Sequence, residues 1–440
     1  MANTTPTTNS LENYFLPFTA NKDFKKEPRL LDRGEGVYYW NHKGDQVIDA
    51  SSGLFCVPLG HGRKEIAEAV HQQLLKLDYS PSFQVSHLPA FSLAEKVAKL
   101  LPGDLNNVFF TICGSTAIDS AIKIIQAYQH SIGQSQRVRF VSRERAYHGV
   151  NIGGTSLSGM IKNREIFTAT MPGVIHLRHT LLEENKYTKG QPESGAHLAE
   201  DLQRFVEMYG PESIAGCFVE PIAGSTGTIV PPKGYLERLR EICDKYGIVL
   251  VFDEVITGFG RTGKAFGADK YNVQPDMITM AKAITNGAQP MGAVGVSDKI
   301  YNAIVGNGPE HGVEFFHGYT YSGHPACVAA SHATLDIYEK EDIFARADSM
   351  SPYFIDAVFD AFKDIPIVTD IRADGMMAAF DLAVDKNPGV RGYDAQKKTF
   401  ANGVHIKFTG DAGIVAPALI SEEKHIDEML ERIKEVLIKY

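Results

Sequence analysis

Apolar, strand-like runs alternate with amphipathic helical stretches along most of the chain, and this alternation limits the folds that the sequence can adopt. Residues 64–77 and 234–246 carry apolar side chains at three-and-four spacing, which predicts helices. The strand candidates are residues 107–111 (NVFFT), 137–142 (RVRFVS), 215–220 (AGCFVE), 248–253 (IVLVFD) and 292–297 (GAVGVS). This pattern is typical of βαβ units and predicts an α/β fold with a mostly parallel central sheet covered by helices on both faces.

The pattern changes after about residue 330, where a helical stretch is followed by short apolar runs and a closing amphipathic helix. A chain of 440 residues with 44% hydrophobic content can bury more than one core. We therefore predict an N-terminal segment (1–60) that joins a small domain, a large domain (61–330), and a C-terminal small domain of α+β type (331–440).

Charge and composition exclude several classes of partner. A net charge of −9 argues against nucleic acid, whose phosphates require clustered Lys and Arg. No apolar run reaches the length of a membrane span, and residues 1–10 lack the basic and apolar regions of a secretory signal, so a cytoplasmic location is expected. The five cysteines show no paired spacing, which predicts free thiols and no metal site.

Small and hydroxyl-bearing residues follow the strand that ends at Thr111. Residues 113–116 (CGST) open a helix there, so free backbone N–H groups and a permissive glycine meet at its positive end. This turn predicts a phosphate site, although a plain helix cap is the simpler alternative.

Two adjacent acids, Asp253 and Glu254, end a strand that reads as fully buried. A buried carboxylate needs a partner, and Arg261 is near enough in sequence to form an ion pair. A second alternative is the dinucleotide fingerprint, because residues 258–263 (GFGRTG) match G-x-G-x-x-G. That motif should open a long helix, but the residues that follow show no apolar side chains at helical spacing, which argues against a dinucleotide site.

Lys282 and Tyr147 complete the candidate site. Lys282 follows a short apolar run and precedes a loop of small residues, so its amine is expected at the functional edge of the sheet, where desolvation would make it a nucleophile. A surface position is the alternative for a single lysine, and a core position for a single aromatic ring. A phosphate site, a stacking ring, a buried carboxylate and a nucleophilic amine together are what pyridoxal 5′-phosphate requires.

The chain also resembles a known family, the class III (ω-) aminotransferases, which are fold type I enzymes that use pyridoxal phosphate. The resemblance covers about residues 11–440 and is closest to the branch that transfers amino groups from β-alanine or ω-amino acids to pyruvate. It rests on VFDEVITGFGRTG (251–263), MAKAITNGAQPMGA (280–293), YHG (147–149) and HGYTYSGHP (317–325).

The resemblance implies a role for each matching residue. Lys282 would form the Schiff base and shuttle the proton, Asp253 would pair with the pyridine nitrogen, and Tyr147 and Val255 would pack on the two ring faces. The implied cofactor-binding set is Cys113, Gly114, Ser115, Tyr147, His148, Glu220, Asp253, Val255, Lys282 and Thr320, the last from the neighbouring subunit of a homodimer. The implied substrate-binding set is Phe55, Phe83, Tyr147 and Lys407, with Tyr14 or Phe15 at the entrance.

Four departures from the family pattern bear on the substrate. Ser225 and Ile256 replace residues typical of the relatives that act on ornithine and γ-aminobutyrate, which favours pyruvate as acceptor. Thr116 replaces a glutamate, and Lys407 stands where close relatives place a mobile arginine that holds the substrate carboxylate. Lysine keeps the charge but lacks the two-pronged fork, so the acceptor could be held less specifically.

The sequence thus predicts a ping-pong transaminase that moves the amino group of an ω-amino acid or amine to pyruvate. Taurine, a polyamine or an aryl amine as donor, 2-oxoglutarate as acceptor, and a tetramer in place of a dimer stay open. A different pyridoxal phosphate reaction, such as decarboxylation or amine migration, and a nicotinamide oxidoreductase are the alternatives from other classes. A catalytically inactive homologue is disfavoured because Lys282 is present.

Overall fold

The computed structural model of the protein describes residues 11–440, so the N-terminal residues in which no secretory signal is predicted lie outside it. Its strands form three sheets. In chain order they are β1 (Leu31–Glu35), β2 (Tyr38–Asn41), β3 (Gln46–Asp49), β4 (Asn107–Thr111), β5 (Arg139–Arg143), β6 (Val174–Leu177), β7 (Ile214–Val219), β8 (Val249–Asp253), β9 (Met277–Ala281), β10 (Gly292–Val296), β11 (Val368–Asp374), β12 (Met377–Leu382), β13 (Val404–His405), β14 (Lys407–Thr409) and β15 (Ala412–Val415).

The helices alternate with the strands in the first three quarters of the described chain. They are α1 (Asn21–Phe24), α2 (Lys64–Lys76), α3 (Leu88–Ala98), α4 (Gly114–Ser131), α5 (Ile152–Leu157), α6 (Ile161–Arg164), α7 (Glu200–Tyr209), α8 (Tyr235–Tyr246), α9 (Gly267–Tyr271), α10 (Asp298–Gly306), α11 (Pro325–Lys340), α12 (Ile343–Phe362), α13 (Val390–Ala401) and α14 (Glu423–Leu437). Short 3-10 turns span Glu183–Asn185, Ala196–Ala199, Pro211–Ser213 and Lys282–Thr285, and the irregular turn Ser52–Phe55 follows β3. Within residues 11–440, no helix is both long and apolar enough to cross a membrane.

The central sheet has seven strands in the order β4-β10-β9-β8-β7-β5-β6. All neighbours pair in parallel except β10, which is antiparallel to both β4 and β9. Every residue of β7, β8, β9 and β10 is buried, which explains why these strands are apolar on both faces rather than alternating. The predicted α/β fold with a mostly parallel sheet is confirmed.

The direction of the strands brings the candidate residues to one edge. Gly292 of β10 pairs with Thr111 on one side and with Ala281 on the other, so β4 and β9 end at the same level. Asp253 pairs with Thr279 in the parallel ladder of β8 and β9. The residues that follow β4, β8 and β9 therefore meet at the carboxyl edge of the sheet.

One of the two smaller sheets combines strands from the beginning and the end of the chain, and the other contains only C-terminal strands. Their strand orders are β1-β2-β3-β13 and β11-β12-β15-β14. In the first, β13 pairs in parallel with β3, with Val404 opposite Ile48, so the N-terminal segment shares a sheet with the C-terminal region. This pairing supports the predicted division at residues 60 and 330, which stays a prediction.

Candidate active site

A cavity of about 410 Å³ opens at the carboxyl edge of the central sheet. The turns that follow β4, β5, β7, β8 and β9 all contribute to its wall, as expected for ligand sites in α/β sheets. Of the predicted site residues, the cavity is lined by Cys113, Gly114, Ser115, Tyr147, His148, Glu220, Asp253, Val255 and Lys282.

Lys282 begins the 3-10 turn after β9 and has a left-handed backbone, with φ of +51°. Such a conformation costs free energy in a residue with a side chain and is typical of functional sites. Burial lowers the pKa of the Lys282 amine, and the nearby Cys56, Asp253 and Glu220 only partly offset that effect. The amine is therefore easier to deprotonate than one in water, as a nucleophile and proton carrier requires.

Asp253 is buried and held on both carboxylate oxygens. Its Oδ2 lies 2.7 Å from Nδ1 of His148, while its Oδ1 accepts hydrogen bonds of 3.2 Å from the Thr279 hydroxyl and from the Val255 amide. A carboxylate can only accept here, so Nδ1 of His148 carries the proton. His148, which the resemblance places among the cofactor-binding residues, lines the cavity and contacts Asp253, and its contact with the cofactor stays a prediction.

Thr279 is a site residue that the sequence interpretation missed. Its hydroxyl reaches Asp253 because the two residues are paired across β8 and β9. The signal was present in the sequence, since Thr279 is a polar residue inside an otherwise apolar run. Finding it required the register of two strands, which composition and periodicity do not give.

Glu220 orders the loop that carries the predicted stacking ring. Its carboxylate accepts hydrogen bonds from the amides of Tyr147, at 3.0 Å, and Gly224, at 3.2 Å. Burial raises the pKa of Glu220 to about 7, and the charge of Asp253 adds to that effect, whereas His148 opposes it. The structure thus connects Glu220 to the position of Tyr147.

Glu254 has a different partner from the one that the sequence suggested. Its carboxylate accepts hydrogen bonds from the Gly267 and Ala268 amides, at 2.6 and 2.8 Å, and from the Thr257 hydroxyl at 2.7 Å. Arg261 instead donates to the carbonyls of Met376 and Pro417 and to the Ser52 hydroxyl. The ion pair between Arg261 and the adjacent acids, an alternative that the sequence left open, is therefore not formed, because Glu254 instead binds backbone amides at the start of α9.

The motif GFGRTG at 258–263 does not bind a dinucleotide in the way that the fingerprint requires. Its glycines lie in an irregular turn, in which Gly260 has φ of +94°. The next helix, α9, has five residues and starts after the motif ends. The positive helix end that would face a pyrophosphate is absent at this turn, which removes the structural basis of the oxidoreductase alternative.

The start of α4 forms the predicted phosphate turn. Thr116 accepts hydrogen bonds from the amides of Ile112, at 3.2 Å, and Cys113, at 3.0 Å, so the residue that replaces the family's glutamate caps this helix. The Ser115 hydroxyl accepts a 3.1 Å hydrogen bond from the Val150 amide. A Cβ atom at Gly149 would lie 2.5 Å from that hydroxyl, so only glycine allows the two turns to approach.

This donor set fits pyridoxal 5′-phosphate, the cofactor that the resemblance implies. The helix start at 113–115 suits its phosphate, the Lys282 amine suits its carbonyl carbon, and Asp253 suits its ring nitrogen. Nε2 of His148 is buried and has no hydrogen-bond partner among residues 11–440. His148 lines the same cavity, so the site contains a buried polar atom that has no partner in this part of the chain.

Besides the entrance candidates Tyr14 and Phe15, four predicted residues do not line the cavity of a single protomer. Phe55 is close, with its ring centroid 5.7 Å from Nζ of Lys282. Phe83 and Thr320 are exposed; Phe83 lies next to Gly318, and the Thr320 carbonyl accepts a 3.1 Å hydrogen bond from Tyr79. Tyr14 and Phe15 are exposed as well.

Lys407 is the fourth of these residues and lies on β14, where its amide donates to the Ser51 hydroxyl at 2.9 Å. Its ammonium has no carboxylate within 4.0 Å in the part of the chain that the structure describes. Burial lowers the pKa of Lys407, and no neighbouring charge opposes that effect. The side chain is therefore a partly buried cation without a counter-charge in this protomer.

The segment that contains Thr320 is attached to the helix that forms the phosphate turn. Nε2 of His317 lies 2.8 Å from the Ser120 hydroxyl of α4, and the Tyr319 hydroxyl donates to the Thr116 carbonyl of α4 at 3.4 Å. The same helix thus contacts the cavity with its first turn and the 317–320 segment with its first two turns.

The chain is similar to known aminotransferases over nearly its whole length. The family model described as aminotransferase class-III matches residues 19–437. The chain is 46% identical to an omega-aminotransferase of Caulobacter vibrioides over 433 residues, covering 98% of both chains. It is 45% identical to an omega-amino acid–pyruvate aminotransferase of Pseudomonas putida, covering 98% of this chain and 96% of that protein.

Solved structures show the same similarity. A thermostable (S)-enantioselective omega-transaminase from Thermomicrobium roseum superposes with a TM-score of 0.92 at 35% sequence identity, covering 98% of this chain and 97% of that one. Similarity over the full length of both chains includes every strand end that contributes to the cavity.

Proposed function

Because the chain belongs to the class III aminotransferases, it is a transaminase that uses pyridoxal 5′-phosphate, and we propose that it moves the amino group of an ω-amino acid or amine, such as β-alanine, to pyruvate. The products are alanine and an aldehyde or oxo acid. The observation that carries this proposal is the Lys282 amine, whose pKa is lowered, in one cavity with the Asp253 carboxylate and the start of α4.

Each of these residues would have a defined task. When bound, pyridoxal phosphate supplies a carbonyl group for the amine and an electron-withdrawing ring that stabilises charge on the adjacent carbon. Lys282 would hold the cofactor through this carbonyl carbon, and its Nζ would accept and return a proton beside the substrate. Asp253, fixed by Thr279 and His148, would keep a proton on the ring nitrogen.

The walls of the cavity would orient the reacting groups. Tyr147, whose amide is held by Glu220, would pack on one face of the cofactor, and Val255, adjacent to Gly114, on the other. Cys113, Gly114 and Ser115 would bind the phosphate through the amides and hydroxyl at the start of α4.

We propose that Lys407 binds the carboxylate of the acceptor. Its buried ammonium has no carboxylate partner among residues 11–440, so a substrate carboxylate would supply the missing counter-charge. Ser225 is consistent with this role, because a glutamate at that position, as in other branches of the family, could compete for the cation. The relatives that use pyruvate support the same acceptor.

We also propose a homodimer with active sites at the subunit interface, as the resemblance implies, with a tetramer as a further possibility. Exposed apolar side chains lie on the 317–324 segment and on the neighbouring parts of the chain, where Phe83 lies beside Gly318 and His87, just before α3, contacts the Gly323 carbonyl. Exposed apolar surface is typical of subunit contacts. The exposed side chains are Phe83, Leu88, Phe91, Phe316 and Tyr321. Thr320 and the aromatic residues of this segment would then reach the partner's cavity.

A cytoplasmic location is proposed as well. All five cysteines are free thiols in the structure, three of them buried, which suits a reducing compartment.

A donor and acceptor panel tests the reaction. β-Alanine, taurine, a diamine and an aryl amine are each paired with pyruvate or 2-oxoglutarate, and alanine or glutamate formation is followed. We expect alanine formation from an ω-amino donor with pyruvate as the better acceptor. A better rate with 2-oxoglutarate, or product formation without any oxo acid, would contradict the proposal.

The Lys407→Gln variant tests the proposed carboxylate contact in the same assay. Loss of one charge-assisted hydrogen bond is expected to raise KM for pyruvate roughly 10- to 100-fold. The half-reaction with an amine that has no carboxylate group should keep its rate, because such a donor does not use this contact. Lys407→Arg serves as the matched control and should retain a low KM.

A further inference from the structure

The turn Ser52–Phe55 has an unusual backbone and lies beside Lys282. Three of its four residues are left-handed, with φ of +46° at Ser52, +68° at Gly53 and +60° at Phe55. Only glycine adopts this region without cost, so the conformations of Ser52 and Phe55 must be maintained by their surroundings.

The turn positions two groups next to the reactive amine. The Phe55 ring centroid lies 5.7 Å from Nζ of Lys282, and Cys56, the next residue, lines the cavity. The Cys56 thiol is turned back onto the chain and donates to the Leu54 carbonyl at 3.2 Å. Any relaxation of the turn would therefore displace this wall of the cavity.

Asp49, the last residue of β3, binds the backbone of this turn through both oxygens of its carboxylate. Its Oδ1 accepts a 3.1 Å hydrogen bond from the Ser51 amide, and its Oδ2 accepts one of 2.5 Å from the Gly53 amide. Nε2 of His61 lies 2.8 Å from the same Oδ2, and the His61 ring packs against Tyr39 with centroids 4.1 Å apart and planes tilted by 42°. One buried carboxylate thus satisfies two amides of a strained turn and is oriented by a histidine.

The same turn is connected to the strand that carries Lys407. The Ser51 hydroxyl accepts a hydrogen bond from the Lys407 amide and donates to the Ile414 carbonyl at 3.3 Å. The Ser52 hydroxyl donates to the Ala416 carbonyl at 2.7 Å. The aromatic wall and the lysine proposed to bind a carboxylate therefore depend on one short piece of backbone.

We propose that Asp49 is a positioning residue for transamination: its carboxylate holds the 52–55 turn in its left-handed conformation and so fixes both Phe55 and the Lys407 strand around the substrate. The inference rests on the proposed function, because it assigns the substrate side of that site. Nothing in it requires Asp49 to touch substrate or cofactor.

The Asp49→Asn variant of the holoenzyme tests this role, because it keeps the volume but can accept only one of the two amides. Asp201→Asn is the matched control, since Asp201 is equally buried but pairs with Arg178 at a distance from the cavity. We expect KM for pyruvate and for a bulky amine to rise at least about 5-fold in Asp49→Asn, with kcat within about 3-fold of wild type and bound cofactor unchanged. Asp201→Asn should leave both KM values unchanged.

The native thiol of Cys56 gives a readout that does not depend on turnover. Iodoacetamide alkylates the thiolate, with its sulfur displacing iodide, and peptide mass spectrometry locates the product. We expect Cys56 in Asp49→Asn holoenzyme to react at least about 10-fold faster than in wild type or Asp201→Asn, because the relaxed turn exposes the thiol. Unchanged alkylation and unchanged KM in a folded Asp49→Asn enzyme would overturn the proposal.

Hydrogen exchange of the wild-type holoenzyme decides the case if the variant does not fold. Slow exchange at the Ser51 and Gly53 amides is expected, since both are bonded to Asp49, and exchange at the rate of a free loop would overturn the proposal. These measurements also separate the two proposals. Absence of transamination in the donor panel would refute the proposed function, whereas alkylation and exchange report on the turn alone.

Discussion

Two adjacent acids at the end of one buried strand have opposite environments, and this difference follows from which face of the strand each occupies. Asp253 faces the cavity and is bonded to His148 and Thr279, while Glu254 faces the protein core and is bonded to backbone amides of α9. Successive side chains of a strand point to opposite faces, so adjacent acids divide between catalysis and structure.

The environment of Glu254 predicts a measurable dependence of stability on pH. Burial outweighs its three hydrogen bonds and raises its pKa from 4.5 to about 7. A carboxyl group whose pKa is raised on folding favours the folded state at low pH, and this contribution is lost as the pH rises from about 4.5 through about 7.

The Glu254→Gln variant removes that titration. Relative to the variant, wild type is therefore expected to lose up to about 3 kcal/mol in free energy of unfolding between pH values of about 4.5 and 7.5. Urea unfolding of the apoenzyme at several pH values measures the difference. Curves that stay parallel for the two proteins across this range would show that Glu254 does not titrate as the structure indicates.

At the scale of the element, the close approach of the turn at Gly149 to the first turn of α4 makes the phosphate site sensitive to substitution. Gly149→Ala would place a methyl group 2.5 Å from the Ser115 hydroxyl in a backbone with φ of +94°. We expect the dissociation constant for pyridoxal phosphate to rise at least about 10-fold, because one of the phosphate-binding residues must move.

Gly133→Ala is the matched control for this prediction. Gly133 follows the other end of α4, has φ of +74°, and would place its methyl group in open space. Both variants carry the cost of a left-handed alanine, so both should lose thermal stability, but only Gly149→Ala should weaken cofactor binding in a titration of the apoenzyme. Equal dissociation constants would refute the role given to this turn.

The elements themselves were largely predictable from the sequence. The strand predicted at 107–111 is β4 without any change of boundary, and the helix predicted at 234–246 is α8, closed by Gly247 in the left-handed conformation. These segments are strongly periodic and end at residues with a clear physical preference. The strand β6 was missed because its four residues include His176 and only three are apolar.

The candidate site was predictable in its chemistry but not in its contacts. The strand ends gave Lys282, Asp253 and the phosphate turn, because parallel strands place their carboxyl ends at one edge. The contacts of Glu254, Thr279 and Asp49 depend on strand register and on loops that return from distant parts of the chain. Neither is encoded in local periodicity, so nearness in sequence alone left an ion pair of Arg261 open, whereas its guanidinium binds Met376, Pro417 and Ser52.

At the scale of the whole molecule, the exposed apolar side chains around the 317–324 segment predict assembly. Phe91→Glu would place a charge in the proposed subunit contact, where it could not be solvated. We expect a shift toward monomer in light scattering and a matching loss of activity. Ile438→Glu is the control, because Ile438 is 61% exposed and Phe91 65%, but Ile438 lies at the C-terminus.

If Phe91→Glu stays a dimer with full activity, the contact lies elsewhere on the surface. A tetramer in the wild type would not contradict the prediction, provided that the variant dissociates to smaller species than the control.

Helix α4 contacts both the cofactor site and the proposed subunit contact. The first turn of α4 forms the phosphate site, and Thr116 and Ser120 in its first two turns bind Tyr319 and His317 of the segment proposed to reach the partner. Coenzyme binding and subunit association then depend on the same helix. Dilution of the enzyme should therefore favour loss of its coenzyme, and added coenzyme should favour reassembly of the subunits.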